Sequence, residues 1–326
     1  MREQVLKILY NSKGFISGEE ISSKLQVSRT AVWKHINALK LEGYLIESVH
    51  KKGYRIIEKS NSLLPVEISN YLTTEKIGEN IIHFESIQST NDYAKENGNS
   101  LDHGTIVIAE EQVEGRGRMG RSWVSPKGTG IWMSLVLKPD IAPVEGVKVT
   151  QIGAAAVSNA LRESLGVDAK IKWPNDITIK GKKVCGILTE MSAEINEIHY
   201  LVIGIGINVN VKQFPADIEN MATSLMIEKG EPVDRKKILV DILSEFERLY
   251  DHFIHKGTLD KTIKICRDHS ALIGKNVSII KSGKKIEEGK VLRLSDDGFI
   301  IIKKHSGVEE TIQSGEISIR GEAGYV

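Results

Sequence analysis

The chain has 326 residues, of which 40% are hydrophobic and 27% are charged, with 29 Gly and 7 Pro. This length predicts two or three domains, and the composition excludes a disordered, collagenous or coiled-coil chain. Residues 201–211 form the longest nearly continuous apolar stretch, which is too short to cross a bilayer. The first residues lead directly into a polar helical pattern, and the two cysteines are far apart and fit no metal spacing. We therefore expect no signal peptide, no disulfide framework, no membrane partner and a cytoplasmic location.

The net charge of +1 conceals an asymmetry between the N-terminal segment and the rest of the chain. Residues 1–60 contain 11 Lys and Arg against 6 Asp and Glu, whereas the rest contains 33 against 37. Such a basic segment indicates contact with a polyanion. Chance variation over a short segment explains the charge equally well.

The pattern within this basic segment predicts a winged helix-turn-helix. Its elements are a helix at 4–10, a short helix after the capping residue Ser17, a helix at 29–41 after the capping residue Ser28, and strands at 44–48 and 53–57. Val32, Ile36 and Leu39 form the inner face of the third helix, which Gly43 is expected to end. A polar linker follows at 58–62.

The outer face of the third helix and the hairpin tip carry the candidate DNA-binding residues. These are Ser28, Arg29, Thr30, Trp33, Lys34 and His35 on the helix, and Lys51 and Lys52 at the tip. A recognition helix meets base edges and phosphates with its N-terminal half, and lysines on a wing meet the flanking backbone. Two alternatives stay open, because Trp33 could belong partly to the core and the segment could make only protein contacts.

Strand-like and helix-like segments alternate from about residue 65 to 268. The strand candidates are 81–84, 106–111, 130–137, 169–173, 176–179, 183–191 and 200–211, and the helix candidates are 90–98, 148–165 and 234–255. Apolar residues recur at helical spacing in the last helix, which indicates a core-facing stripe. The alternation predicts a mixed sheet covered by helices, in the α+β class.

The segment most informative about function is the loop at 115–123, which reads GRGRMGRSW. Three Gly and three Arg in seven residues are incompatible with a packed helix or a central strand. Glycines let backbone N–H groups approach an anion, and arginines donate bidentate hydrogen bonds to phosphate. The loop does not match the P-loop pattern, which disfavours a conventional kinase or NTPase.

Two further motifs combine polar side chains with glycines. Residues 172–176 read KWPND, where a proline forces a turn and the Asn and Asp after it suit a phosphate with its metal ion. Lys183 follows a hairpin turn and can face a developing negative charge. Residues 204–210 read GIGINVN. With Gly186, the glycines of these strands predict a slot in the sheet for a flat ligand, although each glycine alone could mark a bulge.

These three motifs, the run Gln88-Ser89-Thr90-Asn91 and the helix-turn-helix segment resemble one family over essentially the whole chain, the bifunctional biotin–protein ligases and biotin operon repressors. The resemblance implies that biotin and MgATP first give biotinyl-5′-AMP and pyrophosphate. A lysine of a biotin carboxyl carrier domain then attacks the mixed anhydride and releases AMP. It also implies that biotinyl-5′-AMP is a corepressor and that a ligand-promoted homodimer binds operator DNA.

The resemblance further implies a set of site residues. The biotin-binding residues are Ser89, Thr90, Asn91, Gln112, Gly115, Arg116, Gly117, Arg118, Lys183, Gly186, Leu188 and Gly204. The nucleotide-binding residues are Arg116, Arg118, Arg121, Trp123, Asn175 and Asn208. The catalytic residues are Lys183, Arg118 and Asp176, of which Asp176 is also the candidate Mg²⁺ ligand.

Short strands separated by glycine turns fill residues 270–326 and predict a small SH3-like barrel. The expected domains are therefore a winged helix-turn-helix at 1–60, a biotin/lipoate-ligase-like catalytic domain at 65–268 and this C-terminal domain. A pure ligand-responsive transcription factor is one alternative, but it has no chemical need for Lys183 and the complete loop. A lipoate ligase is disfavoured by the winged helix and by Gln112, which suits a polar ureido ring.

Overall fold

The computed structural model describes residues 1–12, 14–41, 44–58, 61–281, 284–313, 317–321 and 325–326. Its contacts divide the chain into two compact units, Met1–Asn70 and Tyr71–Val326. The predicted helix end at Gly43 and residues 59–60 of the predicted linker lie outside the described residues. Within these ranges, no helix is both long and apolar enough to cross a membrane.

The first unit packs helices against a β-hairpin. Its elements are α1 (Arg2–Asn11), α2 (Gly18–Leu25), α3 (Arg29–Leu41), β1 (Leu45–Val49), β2 (Gly53–Glu58) and α4 (Pro65–Ser69). Ser17 Oγ accepts a hydrogen bond from the Glu20 N–H at 3.0 Å, and Ser28 Oγ accepts one from the Ala31 N–H at 3.1 Å. Both serines are thus the N-caps that the sequence predicts. The predicted inner face of α3 is buried, and β1 pairs antiparallel with β2.

Seven strands form the main sheet of the second unit. They are β3 (Ile81–Phe84), β4 (Ile106–Ala109), β5 (Gly130–Leu137), β6 (Lys170–Lys172), β7 (Asp176–Ile179), β8 (Lys182–Ala193) and β9 (Ile198–Asn208). Their order is β3-β4-β5-β9-β8-β7-β6. Strands β3 and β4 pair in parallel and the other described neighbours pair antiparallel. The predicted mixed sheet is confirmed, and its strands β4 and β5 are buried along their whole length.

Helices of the second unit pack with this sheet. They are α5 (Thr90–Glu96), α6 (Pro143–Gly146), α7 (Val149–Leu165), α8 (Leu225–Lys229), α9 (Arg235–Lys256) and α10 (Asp260–Asp268). The predicted apolar stripe of α9 is buried, and Asp234 caps this helix by accepting from the Lys236 N–H at 2.9 Å. Sequence analysis did not predict α6, α8 or α10, because helices of four to nine residues show too few turns for a periodic pattern.

Five C-terminal strands form a separate antiparallel sheet, in the region where the sequence predicts short strands separated by glycine turns. They are β10 (Asn276–Lys281), β11 (Lys284–Leu294), β12 (Ile300–Lys304), β13 (Glu309–Ile312) and β14 (Ile317–Gly321), in the order β13-β12-β11-β10-β14. Trp173 Nε1 donates a hydrogen bond to the Gly298 carbonyl, in the turn between β11 and β12, at 2.8 Å. The C-terminal sheet therefore contacts the loop between β6 and β7, which carries the KWPND motif.

Candidate active site

Two adjoining cavities lie between the 115–123 loop and the main sheet. The smaller cavity, of about 460 Å³, is lined from the start of α5 and from β5, β8 and β9. The larger cleft, of about 1610 Å³, is lined by the tip of the loop, by 172–176 and by the C-terminal residues Ile319, Arg320 and Tyr325. The two share five residues, namely Gly117, Arg118, Trp123, Asn175 and Lys183. A ligand that fills both cavities would therefore pass beneath the loop.

The residues that the sequence assigned to biotin line the smaller cavity, with the exception of Gly115. The Gly115 carbonyl instead accepts from the Trp123 N–H at 2.7 Å. Of the residues assigned to the nucleotide, Arg116 lines the smaller cavity and not the larger cleft. The others line the larger cleft, as does Asp176. The fold thus brings together residues that lie up to 119 positions apart in this set, from Ser89 to Asn208.

The start of α5 is fixed by the side chain of Gln112. The Thr90 N–H and the Thr90 hydroxyl both donate to Gln112 Oε1, at 2.9 Å and 3.0 Å. Gln112 Nε2 donates in turn to Ser125 Oγ at 3.0 Å, on the segment that leaves the loop. Ser89 Oγ accepts from the Asp92 N–H at 3.3 Å as the N-cap of α5. Gln112 therefore fixes the backbone and the hydroxyl of Thr90 at the cavity wall, next to the capping hydroxyl of Ser89.

Asn91 occupies the floor of the smaller cavity, where Gly204 leaves room for it. Its Oδ1 accepts from Ser134 Oγ at 2.6 Å, and its Nδ2 donates to Glu190 Oε2 at 2.9 Å. A Cβ at position 204 would lie 2.1 Å from Asn91 Oδ1. Glycine is required there because the amide of Asn91 fills the space that a side chain would take.

The 115–123 loop is a short hairpin whose tip turns through left-handed backbone. Arg116 pairs with Ser122 as an isolated antiparallel bridge, and the Gly117 N–H donates to the Arg121 carbonyl at 2.7 Å. Met119 has φ of 60° and Gly120 has φ of 71° at the tip. The glycines and the tight turn together direct the arginine side chains outward along different directions.

The three arginines of the loop reach three different places. Arg116 Nε lies 3.0 Å from a carboxylate oxygen of Asp92, and Arg118 Nη1 donates to Asn175 Oδ1 at 2.9 Å. Arg121 is exposed and lines the larger cleft. Burial lowers the pKa of Arg118 from its ordinary value, against the attraction of the Asp176 carboxylate. Arg118 is thus a partly desolvated cation at the boundary between the two cavities.

Trp123 lies flat against the glycines of β8 and β9. A Cβ at Gly206 would be 2.6 Å from Trp123 Nε1, and one at Gly186 would be 3.2 Å from its ring. The Lys183 ammonium lies 4.9 Å from the centroid of the indole, within cation–π range. Trp123 Nε1 is buried and has no hydrogen-bond partner within the described part of the chain. The indole therefore occupies the slot that the glycines were predicted to leave for a ligand.

Asp176 is the acidic centre of the larger cleft. Its Oδ1 lies 2.6 Å from Lys183 Nζ, and its Oδ2 accepts a hydrogen bond from the hydroxyl of Tyr325. Burial alone would raise the pKa of the Asp176 carboxyl, but Lys183, Tyr325 and Lys172 outweigh burial and hold that pKa below its ordinary value. The side chain is therefore an ionised carboxylate in a surrounding of cations.

Lys172 is a second buried cation on the same side of the cleft. Its ammonium lies 3.4 Å from the centroid of the Tyr325 ring. Burial lowers the pKa of Lys172 to about 7, and the nearby cations Arg320 and Lys183 act in the same direction against Asp176. The cleft thus concentrates positive charge around one carboxylate, which suits a polyanionic ligand.

Two of the predicted nucleotide-binding amides are engaged within the protein. Asn175 Nδ2 donates to the Ile187 carbonyl at 2.9 Å while its Oδ1 holds Arg118. Asn208 Nδ2 donates to the Thr223 carbonyl at 3.2 Å. Both amides brace the walls of the cleft, so that Asn175 also fixes the position of a catalytic candidate.

Among the lining residues that sequence analysis did not assign to the site, four bear directly on its geometry or charge. They are Lys172, Gly206, Arg320 and Tyr325. The first two stand within motifs that the sequence singled out, so the signal was present for them. Arg320 and Tyr325 follow the active-site motifs by more than a hundred residues, in a segment that shows only a strand pattern.

The first unit presents the predicted DNA-binding residues on its surface. Ser28, Arg29, Thr30 and Lys34 are exposed along α3, His35 is half-buried, and Lys51 and Lys52 are exposed at the hairpin tip. The side chain of Trp33 is 54% exposed, which decides against its assignment to the core. The N-terminal half of α3 therefore offers a polar surface with an aromatic group, as a recognition helix does.

The donor set supports a magnesium ion only in combination with a phosphate ligand. Asp176 is the one carboxylate among the described lining residues close to Lys183, and the described residues form no cluster of three potential metal ligands. Mg²⁺ is commonly held by one or two carboxylates, water and substrate phosphates. The residues fit such a shared site.

The chain was compared with known families and proteins. Residues 83–208 match the model of the biotin/lipoate A/B protein ligase family, residues 1–55 match an HTH domain, and residues 272–320 match the biotin protein ligase C terminal domain. The bifunctional ligase/repressor BirA of Bacillus subtilis is 42% identical over 310 residues, covering 94% of each chain. BirA of Escherichia coli is 29% identical over 323 residues, covering 96% of this chain and 97% of that protein.

Solved structures show the same likeness. The biotin protein ligase from Aquifex aeolicus in complex with biotin and ATP is 32% identical and superposes with a TM-score of 0.67. The match covers 75% of this chain and 100% of that one. These findings confirm the resemblance that the motifs carried. The chain therefore belongs to the biotin/lipoate A/B protein ligase family, among the bifunctional ligase/repressors that join a biotin–protein ligase to a DNA-binding helix-turn-helix domain.

Proposed function

We propose that the smaller cavity binds biotin, the larger cleft binds ATP, and their shared residues carry out adenylation of biotin. The observation that carries this proposal is the position of Lys183 and Arg118 in the walls of both cavities. A carboxylate and a triphosphate repel each other, so bringing them together requires cations at their meeting point. These two side chains supply positive charge at that boundary.

On the biotin side, the polar wall consists of the groups that Gln112 and Ser134 hold in place. The hydroxyls of Ser89 and Thr90 bind the ureido ring, and Asn91 closes the floor of the cavity. Gly186 and Leu188 border the tail of biotin, whose carboxylate points toward Lys183. The backbone of the loop at 116–117 covers the ring.

On the nucleotide side, Arg118 and Lys183 bind the α-phosphate and the reacting carboxylate. Arg121 and Trp123 hold the nucleotide under the hairpin, and Asn175 and Asn208 keep the walls in position. Asp176 would hold Mg²⁺ together with the phosphates, and the ion would neutralise part of their charge. The hairpin excludes water from the adenylate, which would otherwise hydrolyse.

The acceptor is a lysine of a biotin carboxyl carrier domain, whose amine attacks the mixed anhydride and releases AMP. We assign residues 1–60, 65–268 and 270–326 to DNA binding, catalysis and support of the nucleotide cleft. Carrier proteins and operator DNA both belong to the cytoplasm, which is the location we propose.

Biotin transfer to a purified carrier domain tests the catalytic assignment. With MgATP and labelled biotin, we expect transfer by the wild type and loss of at least a hundredfold in Lys183→Ala. Lys182→Ala is the matched control, because Lys182 is the neighbouring lysine and lines neither cavity. Arg118→Gly should release adenylate from the site and label bystander proteins. Replacing biotin with lipoate should abolish labelling.

Biotin binding without transfer by the wild type would contradict the ligase assignment and favour a pure biotin-sensing regulator. Biotin-dependent exchange of pyrophosphate into ATP separates the two steps. A variant that retains exchange but fails in transfer is damaged only in acceptor recognition.

We also propose that biotinyl-5′-AMP is a corepressor that promotes a homodimer, and that two α3 helices then read a two-fold operator. Half-site recognition by one winged helix is weak, so pairing is needed for a stable complex. Lys34→Ala should weaken operator binding, and it should reduce the slope of the logarithm of the binding constant against the logarithm of salt concentration by about one. Lys7→Ala, an exposed lysine on α1, is the control. Equal operator affinity with and without biotin and ATP, or an unchanged sedimentation coefficient, would contradict the corepressor role.

A further inference from the structure

The C-terminal end of the chain occupies the phosphate side of the larger cleft. The Tyr325 hydroxyl donates to Asp176 Oδ2, and its ring covers the Lys172 ammonium at 3.4 Å. The Arg320 guanidinium lies 5.2 Å from the centroid of the same ring. One side chain thus lies against three charged groups of the cleft.

These contacts involve groups that a bound nucleotide needs. Lys183 faces Asp176 Oδ1 at 2.6 Å, so with Tyr325 seated both oxygens of the carboxylate have partners. A magnesium ion carried by ATP would need at least one of those oxygens. The Lys172 ammonium, beneath the ring, would likewise have to be uncovered before it could approach a phosphate.

Tyr325 and the triphosphate with its metal ion therefore compete for the same two side chains, Asp176 and Lys172. Tyr325 is a neutral group among Lys172, Lys183, Arg121 and Arg320, so it adds no negative charge to that of Asp176, the carboxylate paired with Lys183. A triphosphate carries several negative charges and would interact with those cations far more strongly. Displacement of the phenol by MgATP is thus favoured, although it costs the contacts that the tail makes.

We propose that the tail Tyr325–Val326 is an intramolecular plug of the phosphate side of the cleft, which the nucleotide displaces on binding. The proposal rests on the assignment of the larger cleft to ATP. Because ATP binds only to molecules with an open cleft, the apparent Kd for ATP equals the Kd of the open cleft divided by the fraction of molecules in which the cleft is open. With the tail seated in nine molecules of ten, removing its side chain tightens ATP binding about tenfold.

Calorimetric titration of the full-length protein with ATP tests this plug. We expect Tyr325→Ala to lower the Kd about tenfold in the presence of Mg²⁺, and less with EDTA, since Asp176 then has no ion to bind. Tyr325→Phe keeps the ring on Lys172 but loses the hydrogen bond to Asp176, so its Kd for ATP should lie between those of the wild type and Tyr325→Ala. Tyr71→Ala is the matched control, because this exposed tyrosine does not line the cleft.

Access to the C-terminus gives a second readout. A non-hydrolysable ATP analogue with Mg²⁺ should accelerate trimming of wild-type Val326 and Tyr325 by a carboxypeptidase, because the displaced tail becomes accessible. An unchanged Kd in Tyr325→Ala overturns the plug, and weaker binding shows instead that Tyr325 is part of the nucleotide site. Failure of both wild type and variant to bind ATP overturns the assignment of the cleft itself, and the plug with it.

Discussion

Replacing Gly204 with alanine provides a direct test of how the floor of the biotin cavity is built. The added Cβ would lie 2.1 Å from Asn91 Oδ1, 2.8 Å from its Cγ and 3.1 Å from its Nδ2. The Asn91 amide would have to retreat by about 1 Å to restore an ordinary contact. It is only 5% exposed and hydrogen-bonded to Ser134 and Glu190, so it cannot move without losing a buried partner.

The cost combines two effects of similar size. Overpacking a filled site costs about 1–3 kcal/mol, and leaving a buried polar group unpaired costs about 1–3 kcal/mol. We therefore expect Gly204→Ala to lower the free energy of unfolding by about 2–6 kcal/mol and to weaken biotin binding. Urea unfolding followed by circular dichroism measures the first effect, and calorimetric titration with biotin measures the second.

A double-mutant cycle with Asn91→Ala isolates the contact. Asn91→Ala removes the three atoms nearest to the added Cβ, so Gly204→Ala should cost little stability in that background. The coupling between the two positions should then exceed about 1 kcal/mol. If Gly204→Ala costs the same in both backgrounds, the reasoning from steric overlap is refuted.

Three further predictions concern the packing of the second unit. Arg235→Met should lower the free energy of unfolding by about 3–5 kcal/mol, because it removes the guanidinium that lies 2.8 Å from the buried Glu110 carboxylate. Urea unfolding measures this loss, and the double variant Arg235→Met with Glu110→Gln should recover much of it. Burial, helped by nearby Lys76, lowers the pKa of His103, whose Nδ1 accepts from the Lys138 N–H at 3.0 Å. The imidazole of His103 therefore binds a proton more tightly in the unfolded chain than in the folded one, so the free energy of unfolding should decrease as the pH falls below about 6.5. His103→Gln should make this decrease smaller. Burial raises the pKa of the Cys185 thiol, so iodoacetamide should leave Cys185 unmodified in the native protein, and rapid labelling would refute its burial.

Much of this protein could be predicted from the sequence because its signals are local. Ser17, Ser28 and Asp234 cap the helices that follow them, since a cap and the N–H groups it binds lie within three residues. Strands β3, β5 and β7 begin and end at the predicted residues, because dense apolar or β-branched runs end at clear turn signals. The 115–123 loop was predicted to bind an anion from its residue types alone, and the structure places part of it on the walls of both cavities.

Other features depend on segments that meet only in the folded chain. The side chains of Asn91 and Trp123 occupy space that a side chain at Gly204 or Gly206 would fill. The Tyr325 hydroxyl binds Asp176, which lies 149 positions earlier in the chain. No periodic pattern in the sequence links these partners. Gln112 and Asn175 were predicted to touch ligands, and the structure adds that their amides, which line the cavities, also hold Thr90 and Arg118 in place. The sequence by itself determined the longer helices, most strands and the chemical types of the candidate site residues, because these follow from neighbouring residues. The tertiary structure decided which of these side chains line the two cavities and which contacts hold them there, because that depends on the packing of distant segments against one another.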